Sequence, residues 1–211
     1  SLSNHGILST DRIEGRTRYD VAVEVATRLE DLRGTPETVY VASGETYADG
    51  LAVGAVAAWR GVPVLLTKGT TVPDATRSKL EAIAPSEVIV VGGPVTIEAE
   101  TYWELGATER ISGANRYDVA VNTANHGLGL GMSARNIVIT TGADYPDSLT
   151  SSVLAARLRS PVLLVRPDRL TDDGAAHLKK HRADRLDVYV CGGPNSVSEA
   201  TYDQIAAAAS R

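Results

Sequence analysis

The stretch Arg12-Ile13-Glu14-Gly15-Arg16-Thr17-Arg18-Tyr19-Asp20-Val21-Ala22-Val23 returns further along the chain as Arg110-Ile111-Ser112-Gly113-Ala114-Asn115-Arg116-Tyr117-Asp118-Val119-Ala120-Val121, at an offset of 98. The same offset relates Gly44 to Gly142, Tyr47 to Tyr145, Asp49 to Asp147 and Leu51 to Leu149, then Pro63, Leu65 and Leu66 to Pro161, Leu163 and Leu164. Two inserted residues raise the offset to 100, at which Gly92-Gly93-Pro94 meets Gly192-Gly193-Pro194 and Thr101-Tyr102 meets Thr201-Tyr202. The 211 residues therefore divide into two modules, 12–109 and 110–211. Solenoid repeats run to about 20 to 50 residues; this period is far longer, so each module can own a core.

Each module alternates helical and strand-like patterns. In the first, Ala22, Val25, Ala26 and Leu29 share one helical face. Val39–Val41 is a short β-branched run ending at Ser43-Gly44. The Ala-rich segment from Ala48 to Trp59 reads as a helix stopped by Gly61, and Val62–Leu66 as a second apolar run. Pro73-Asp74 opens a helix reaching about Ala84, and Val88–Val91 is closed by Gly92-Gly93-Pro94. Module two repeats the runs as Ile137–Ile139, Pro161–Val165 and Val188–Cys191. Apolar runs without alternation, separated by helices, imply parallel strands buried on both faces. The expected fold is α/β: two tandem three-layer Rossmann-like modules with mostly parallel sheets.

Composition agrees. Hydrophobic residues make up 43% and charged residues 22%, the mean hydropathy is −0.07, and no apolar run approaches the ~20 residues of a spanning helix, so no membrane insertion is expected. There is no Phe, and with Tyr 8 and Trp 2 the core falls to Val, Leu, Ile and Ala. One Cys rules out an internal disulfide framework and a Cys-rich zinc site. The opening residues 1–6 (SLSNHG) have neither a basic nor an apolar region, fitting a cytosolic chain or a trimmed piece of a secreted one. The net charge of −5 argues against generic nucleic-acid binding. That charge is an average. Residues 12–109 carry 9 Lys+Arg against 15 Asp+Glu, or −6, whereas residues 110–211 carry 12 against 10, or +2.

Ligands of open parallel sheets bind beyond the carboxyl ends of the strands, where each module places three segments. Ser43-Gly44-Glu45-Thr46-Tyr47-Ala48-Asp49 and its counterpart ending at Asp147 open an Ala-rich helix; the Asp is read as a helix cap, the free N–H groups as an anion site. Lys68 and Arg166 follow the middle strand, as ligand cations or solvated loop charges. The Gly-Gly-Pro turn allows close backbone approach, to a ligand or to a neighbouring helix. Arg12, Arg18, Arg110 and Arg116 either pair with Asp20 and Asp118 and fix module docking, or bind anions. No nucleotide-binding glycine motif and no G-x-S-x-G elbow is present. His177 and His181 have metal-ligand spacing, but the intervening residues favour an exposed helix face, and Cys191 reads as an inert core thiol.

The ordered set R-I-x-G-x-x-R-Y-x-x-A, G-x-x-Y-x-D-x-L, P-V-L-L and G-G-P resembles the second type of cell-wall-binding repeat of Gram-positive surface proteins, over almost the whole chain. The resemblance implies Rossmann-like or Toprim-like modules, arrays of usually three, no cofactor, no metal and no catalysis. It implies non-covalent anchoring of a secreted protein at the cell surface, through anionic wall polymers of the teichoic acid or acidic polysaccharide kind. The family's opening motif falls on Arg12, Gly15, Arg18 and Tyr19 and on Arg110, Gly113, Arg116 and Tyr117. Its D-A-L motif falls on Asp49-Gly50-Leu51 and Asp147-Ser148-Leu149, with a small residue in place of Ala in both. The charge difference makes module two the main polymer contact, through Arg110, Arg116, Arg166 and Arg169, with Arg12, Arg18 and Lys68 in support. Two repeats where three are usual leave a docking face exposed, so a homo-oligomer is expected, or a third repeat in a longer protein. An adhesin or protein-interaction segment is the alternative. A Rossmann-like wall hydrolase is disfavoured, because no nucleophile–base set recurs.

Overall fold

The structure is a computed structural model and describes residues 10–182 and 186–210; the opening hexapeptide lies outside them. The elements run α1 (Arg18–Arg33), β1 (Thr38–Ser43), α2 (Ala48–Arg60), β2 (Val64–Thr67), α3 (Asp74–Ile83), β3 (Glu87–Val91), α4 (Ala99–Glu104) and β4 (Glu109–Ile111). They continue as α5 (Arg116–Gly129), β5 (Asn136–Thr141), α6 (Pro146–Leu158), β6 (Val162–Val165), α7 (Asp172–His181), β7 (Asp187–Cys191) and α8 (Glu199–Ala209). Two parallel sheets result, with strand orders β2-β1-β3-β4 and β6-β5-β7.

The central strands β1 and β5 are buried on both faces, which is why they read as continuous apolar runs. Val39, Val41, Leu65, Val88 and Val90 face Ala26 of α1 and Leu80 and Ile83 of α3. Tyr40, Ile89 and Val91 point the other way, onto Val53, Val56 and Ala57 of α2 and Val119 of α5. In the second module, Ile137, Ile139, Leu163 and Val165 meet α5, α7 and α8 through Val121, Ala124, Leu178 and Ile205. Its opposite face packs Val138, Val162 and Leu164 against Ala155 of α6, Ala48, Ala52 and Ala55 of α2, and Tyr117 and Ala120 of α5. The helices α2 and α5 thus serve both cores.

Three elements were not legible from the pattern: α4, α8 and β4. The last matters most. Arg110 and Ile111 open the second sequence repeat, yet β4 pairs with β3 through Ile89–Glu109, Val90–Arg110 and Val91–Ile111 and completes the first sheet. The equivalent edge of β7 carries no strand among the described residues, and Tyr189 is 39% exposed where its counterpart Ile89 is 2%.

The expected apolar face of α1 is also only partly covered: Ala26 is buried, but Val25 is 50% exposed. The reason is the repeat itself. Helix α5, its counterpart, is covered by α2 of the preceding module, and nothing among the described residues plays that part for α1. Likewise Val153 and Leu154 of α6 are 72% and 37% exposed, whereas Ala55 and Val56 at the same places in α2 are buried.

A polar chain crosses the module junction. The Tyr40 hydroxyl lies 2.9 Å from Nε2 of His126, Arg60 donates to that hydroxyl and to Thr38, Thr38 donates to Glu87, and His126 Nδ1 stands 3.5 Å from Glu109. Burial holds His126 below the ordinary histidine range; Glu109 and Glu87 pull the other way, and Arg60 adds to burial. The folded protein therefore favours neutral His126. Stability that this site contributes above the unfolded pKa of about 6.5 is lost as the pH falls below it. Denaturant midpoints measured from pH 7.5 to pH 5 should fall on this account, and His126→Gln should flatten that part of the slope.

Candidate functional site

The carboxyl ends of β1, β3 and β4 open toward the second module. There the three repeated motifs meet around a cavity of about 410 Å³. Module one contributes Thr46, Ala48 and Asp49 from the start of α2 and Gly93, Pro94, Val95 and Thr96 from the Gly-Gly-Pro turn. Module two contributes Gly113, Ala114, Asn115, Arg116 and Val119. The volume lies within the ~300–1,000 Å³ of small-molecule sites.

The glycines explain how the motifs interlock. Gly92 has φ +132, and a Cβ there would lie 2.9 Å from Oδ2 of Asp49. A Cβ on Gly93 would stand 3.3 Å from the Gly113 carbonyl oxygen, and one on Gly113 would lie 2.6 Å from both Cβ of Asp118 and the backbone nitrogen of Val119. Arg110 locks the same turn from below: Nη1 donates to the carbonyls of Gly92 and Ile97, each at 2.9 Å, and its guanidinium lies 4.7 Å from the ring of Tyr102.

Arg18 and Arg116 do not pair with Asp20 and Asp118, as the spacing allowed. Asp20 and Asp118 instead engage the helix N-caps Thr17 and Asn115. The arginines donate to the carbonyls of Gly44 and Gly142, the turns after β1 and β5. Arg116 also lies 5.6 Å from the ring of Tyr47, whose hydroxyl donates to Ala143 O at 2.7 Å across the junction. Those two carbonyl bonds stay within one module each, and it is the Tyr47 ring that Arg116 meets across the junction.

Of the seven basic residues singled out in the sequence, Arg116 lines the cavity, and Arg110 supports its floor. Arg166 stacks 4.7 Å from the ring of Tyr117. Lys68 shares a more open cavity of about 810 Å³ with Arg16, Tyr19 and Arg77, in which Arg77 is paired with Glu104. Arg12 and Arg169 are exposed, 3.8 Å from Glu14 and 3.3 Å from Asp168. Arg116, Lys68 and Arg169 thus stand in separate places. His177, expected on an exposed face, is 4% exposed, because α7 turns it toward Val121, Asn122 and Asn125 of α5.

Asp49 is the residue whose environment the sequence did not disclose. It is not the cap of α2: Tyr47 holds that position and makes no side-chain cap bond, so the first amides of the helix are left open. Asp49 sits one residue inside the helix, 6% exposed, and accepts no hydrogen bond among the described residues. Burial raises its pKa to about 6, with Arg116 pulling the other way. Its counterpart Asp147 is half-buried, because only the first site has a Gly113–Arg116 segment laid over it.

The site is a strand-end cleft bordered by the opening motif of the next repeat, in a chain of two tandem α/β modules. The chain belongs to the family described as Cell wall binding domain 2 (CWB2), which it matches over residues 12–102 and 110–202. Among curated proteins it is 34% identical over 164 residues to the N-acetylmuramoyl-L-alanine amidase LytC of Bacillus subtilis (strain 168), covering 78% of this chain and 32% of that protein. It is 29% identical over 207 residues to the Amidase enhancer of the same strain, covering 97% of this chain and 27% of that one. The chain thus spans about a third or less of these relatives. Solved structures of the same fold include Cwp6 from Clostridium difficile (TM-score 0.79, 24% identity, 92% of this chain and 31% of that one) and Cwp8 from the same organism (TM-score 0.75, 23% identity, 93% and 33%).

Asp49 makes a clear thermodynamic statement. A carboxyl whose pKa is raised on folding holds its proton more tightly in the native state, so stability falls as the pH rises from about 4 through about 6. Asp49→Asn should stabilise the chain at pH 7 by up to about 2–3 kcal/mol in urea denaturation, with the gain vanishing near pH 4.

Proposed function

We propose that this chain binds anionic polymers of the bacterial cell wall, teichoic acid-like or acidic polysaccharide, without catalysing a reaction, and so holds a secreted surface protein to the wall non-covalently. The observation that carries the reading is the junction cavity. Three motifs that recur in both modules converge on it, and they bring Arg116 and the uncapped start of α2 to one place. Membership of a cell-wall-binding family supports the wall as target. Arg110 and Arg166 support the site through carbonyl and ring contacts, while Arg18, Lys68, Arg12 and Arg169 supply the surrounding positive charge met by a long polymer. Each module is proposed as a repeat unit, 12–109 and 110–211, with β4 bridging them.

Binding should be tested by pull-down on purified Gram-positive walls before and after removal of their anionic polymers. Retention should be lost on stripping and should weaken with added salt. Arg116→Ala should weaken retention several-fold, and joint neutralisation of Arg110, Arg116, Arg166 and Arg169 should abolish it. Undiminished retention on stripped walls would point to a protein partner and so to the adhesin reading.

The bare face formed by α6 and the edge of β7 is proposed to take another repeat of the same kind, because the equivalent face of module one is covered in that way. Light scattering should show concentration-dependent self-association that Val153→Asp removes; a clean monomer at high concentration would count against a second copy as the occupant.

A further inference from the structure

The geometry points to a glycosyl unit, rather than a bare phosphate, as the group held in the junction cavity, with Asp49 accepting a hydrogen bond from one of its hydroxyls. This rests on the polymer-binding reading above and narrows the ligand at that site.

Asp49 has six per cent of its surface exposed, lines the cavity, and accepts no hydrogen bond among the described residues. Its oxygens are reachable from the cavity and are not occupied by a protein donor among the described residues, so the group they can take there is a donor, because an ionised carboxylate only accepts. Phosphate diesters bring acceptors and negative charge, both unfavourable against Asp49. A sugar hydroxyl brings the donor. The remaining walls fit the same ligand: Asn115, Thr46 and Thr96 are short polar side chains, and Pro94 and Val95 offer an exposed apolar face for the C–H side of a ring, Val95 being 99% exposed. Arg116 at the other wall takes an anionic group on the same unit or its neighbour. The division of roles is donor to Asp49 and anion to Arg116.

The second module provides an internal control. Asp147 occupies the equivalent place beside Gly192, with Oδ2 3.0 Å from the position of a Cβ there, but it is half-exposed and no following repeat covers it among the described residues. Asp147 lies open to bulk water, whereas Asp49, 6% exposed, faces only the cavity.

The test compares two probes on the full chain: a glycerol-phosphate polymer carrying glucosyl substituents, and the same polymer with its sugars removed. Calorimetry gives the affinities, and amide NMR shifts of Gly93 and Gly113 report occupancy of the cavity. The glucosylated polymer is expected to bind about tenfold more tightly and to shift those amides. Asp49→Ala, which removes the acceptor, is expected to bring the two affinities within about twofold of each other, while Asp147→Ala keeps the tenfold preference. Denaturation midpoints confirm that both variants fold. Equal binding of the two polymers, or a preference that survives in Asp49→Ala, overturns the glycosyl assignment and leaves polymer binding standing. Failure of both polymers to bind at low salt overturns the two readings together.

Discussion

Ile111 belongs by sequence to the second repeat and by hydrogen bonding to the first sheet, and most of the architecture follows from that pairing with Val91. Only Ser112 to Asn115 separate β4 from α5, so once β4 is fixed at the edge of the sheet, α5 has to start beside the strand ends and run back over α2. That path delivers Val119 to the first core and Val121 and Ala124 to the second. It also lays Gly113–Arg116 across the end of the first sheet. The backbone nitrogen of Gly92 donates to Ile111 O at 2.9 Å, so the turn that forms one wall of the cavity hangs from the strand that leads to the other wall.

Small side chains make this crossing possible. Ala48, Ala52, Ala55, Ala120 and Ala155 line the contact between α2, α5 and α6, and a bulky residue at any of them would push two cores apart at once. Burial of aliphatic surface holds the junction, at about 1.5–3 kcal/mol for each fully buried Val or Leu. The chain through Tyr40, His126 and Arg60 adds little net energy, since a satisfied internal hydrogen bond contributes about 1 kcal/mol. What it adds is direction: His126 meets Tyr40 and Glu109 only when α5 sits at one angle on the first sheet.

Much of this was legible in the sequence. The paired recurrences, the non-alternating Val and Ile runs and the Gly61 stop fix the strands and principal helices, because parallel strands buried on both faces leave that pattern. The recurrence also marked Asp49, Gly92-Gly93-Pro94 and Arg116 as worth attention. It did not show that they meet, since they come from different loops and, for Arg116, from a different repeat. Nor did it show that β4 crosses the repeat boundary: Glu109–Ile111 is three residues long and only Ile111 is apolar, too short for any periodicity to register. Val25 and Val153 carry the reverse lesson. Their apolar character was readable, but whether a partner covers them depends on a neighbouring repeat. Net charge favoured module two as the contact surface, yet several of its arginines are already committed to carbonyls and rings, which composition cannot register.

The contrast between Asp49 and Asp147 shows where the functional unit of such a chain lies. The two residues share a motif, a helix position and a neighbouring glycine turn, so each repeat alone encodes the same half of a site. Only the opening segment of a following repeat adds the facing wall, and the burial that results raises the Asp49 pKa. The number of complete sites in an array is then set by the number of junctions. Joining repeats orders them and also completes the cavity between them. On the proposed function, a polymer spanning several junctions would meet them as linked sites, so modest affinity at each would be multiplied by effective concentration. The docking residues, Ala55, Tyr47 and Ile111 among them, therefore shape the cavity as directly as the residues that line it.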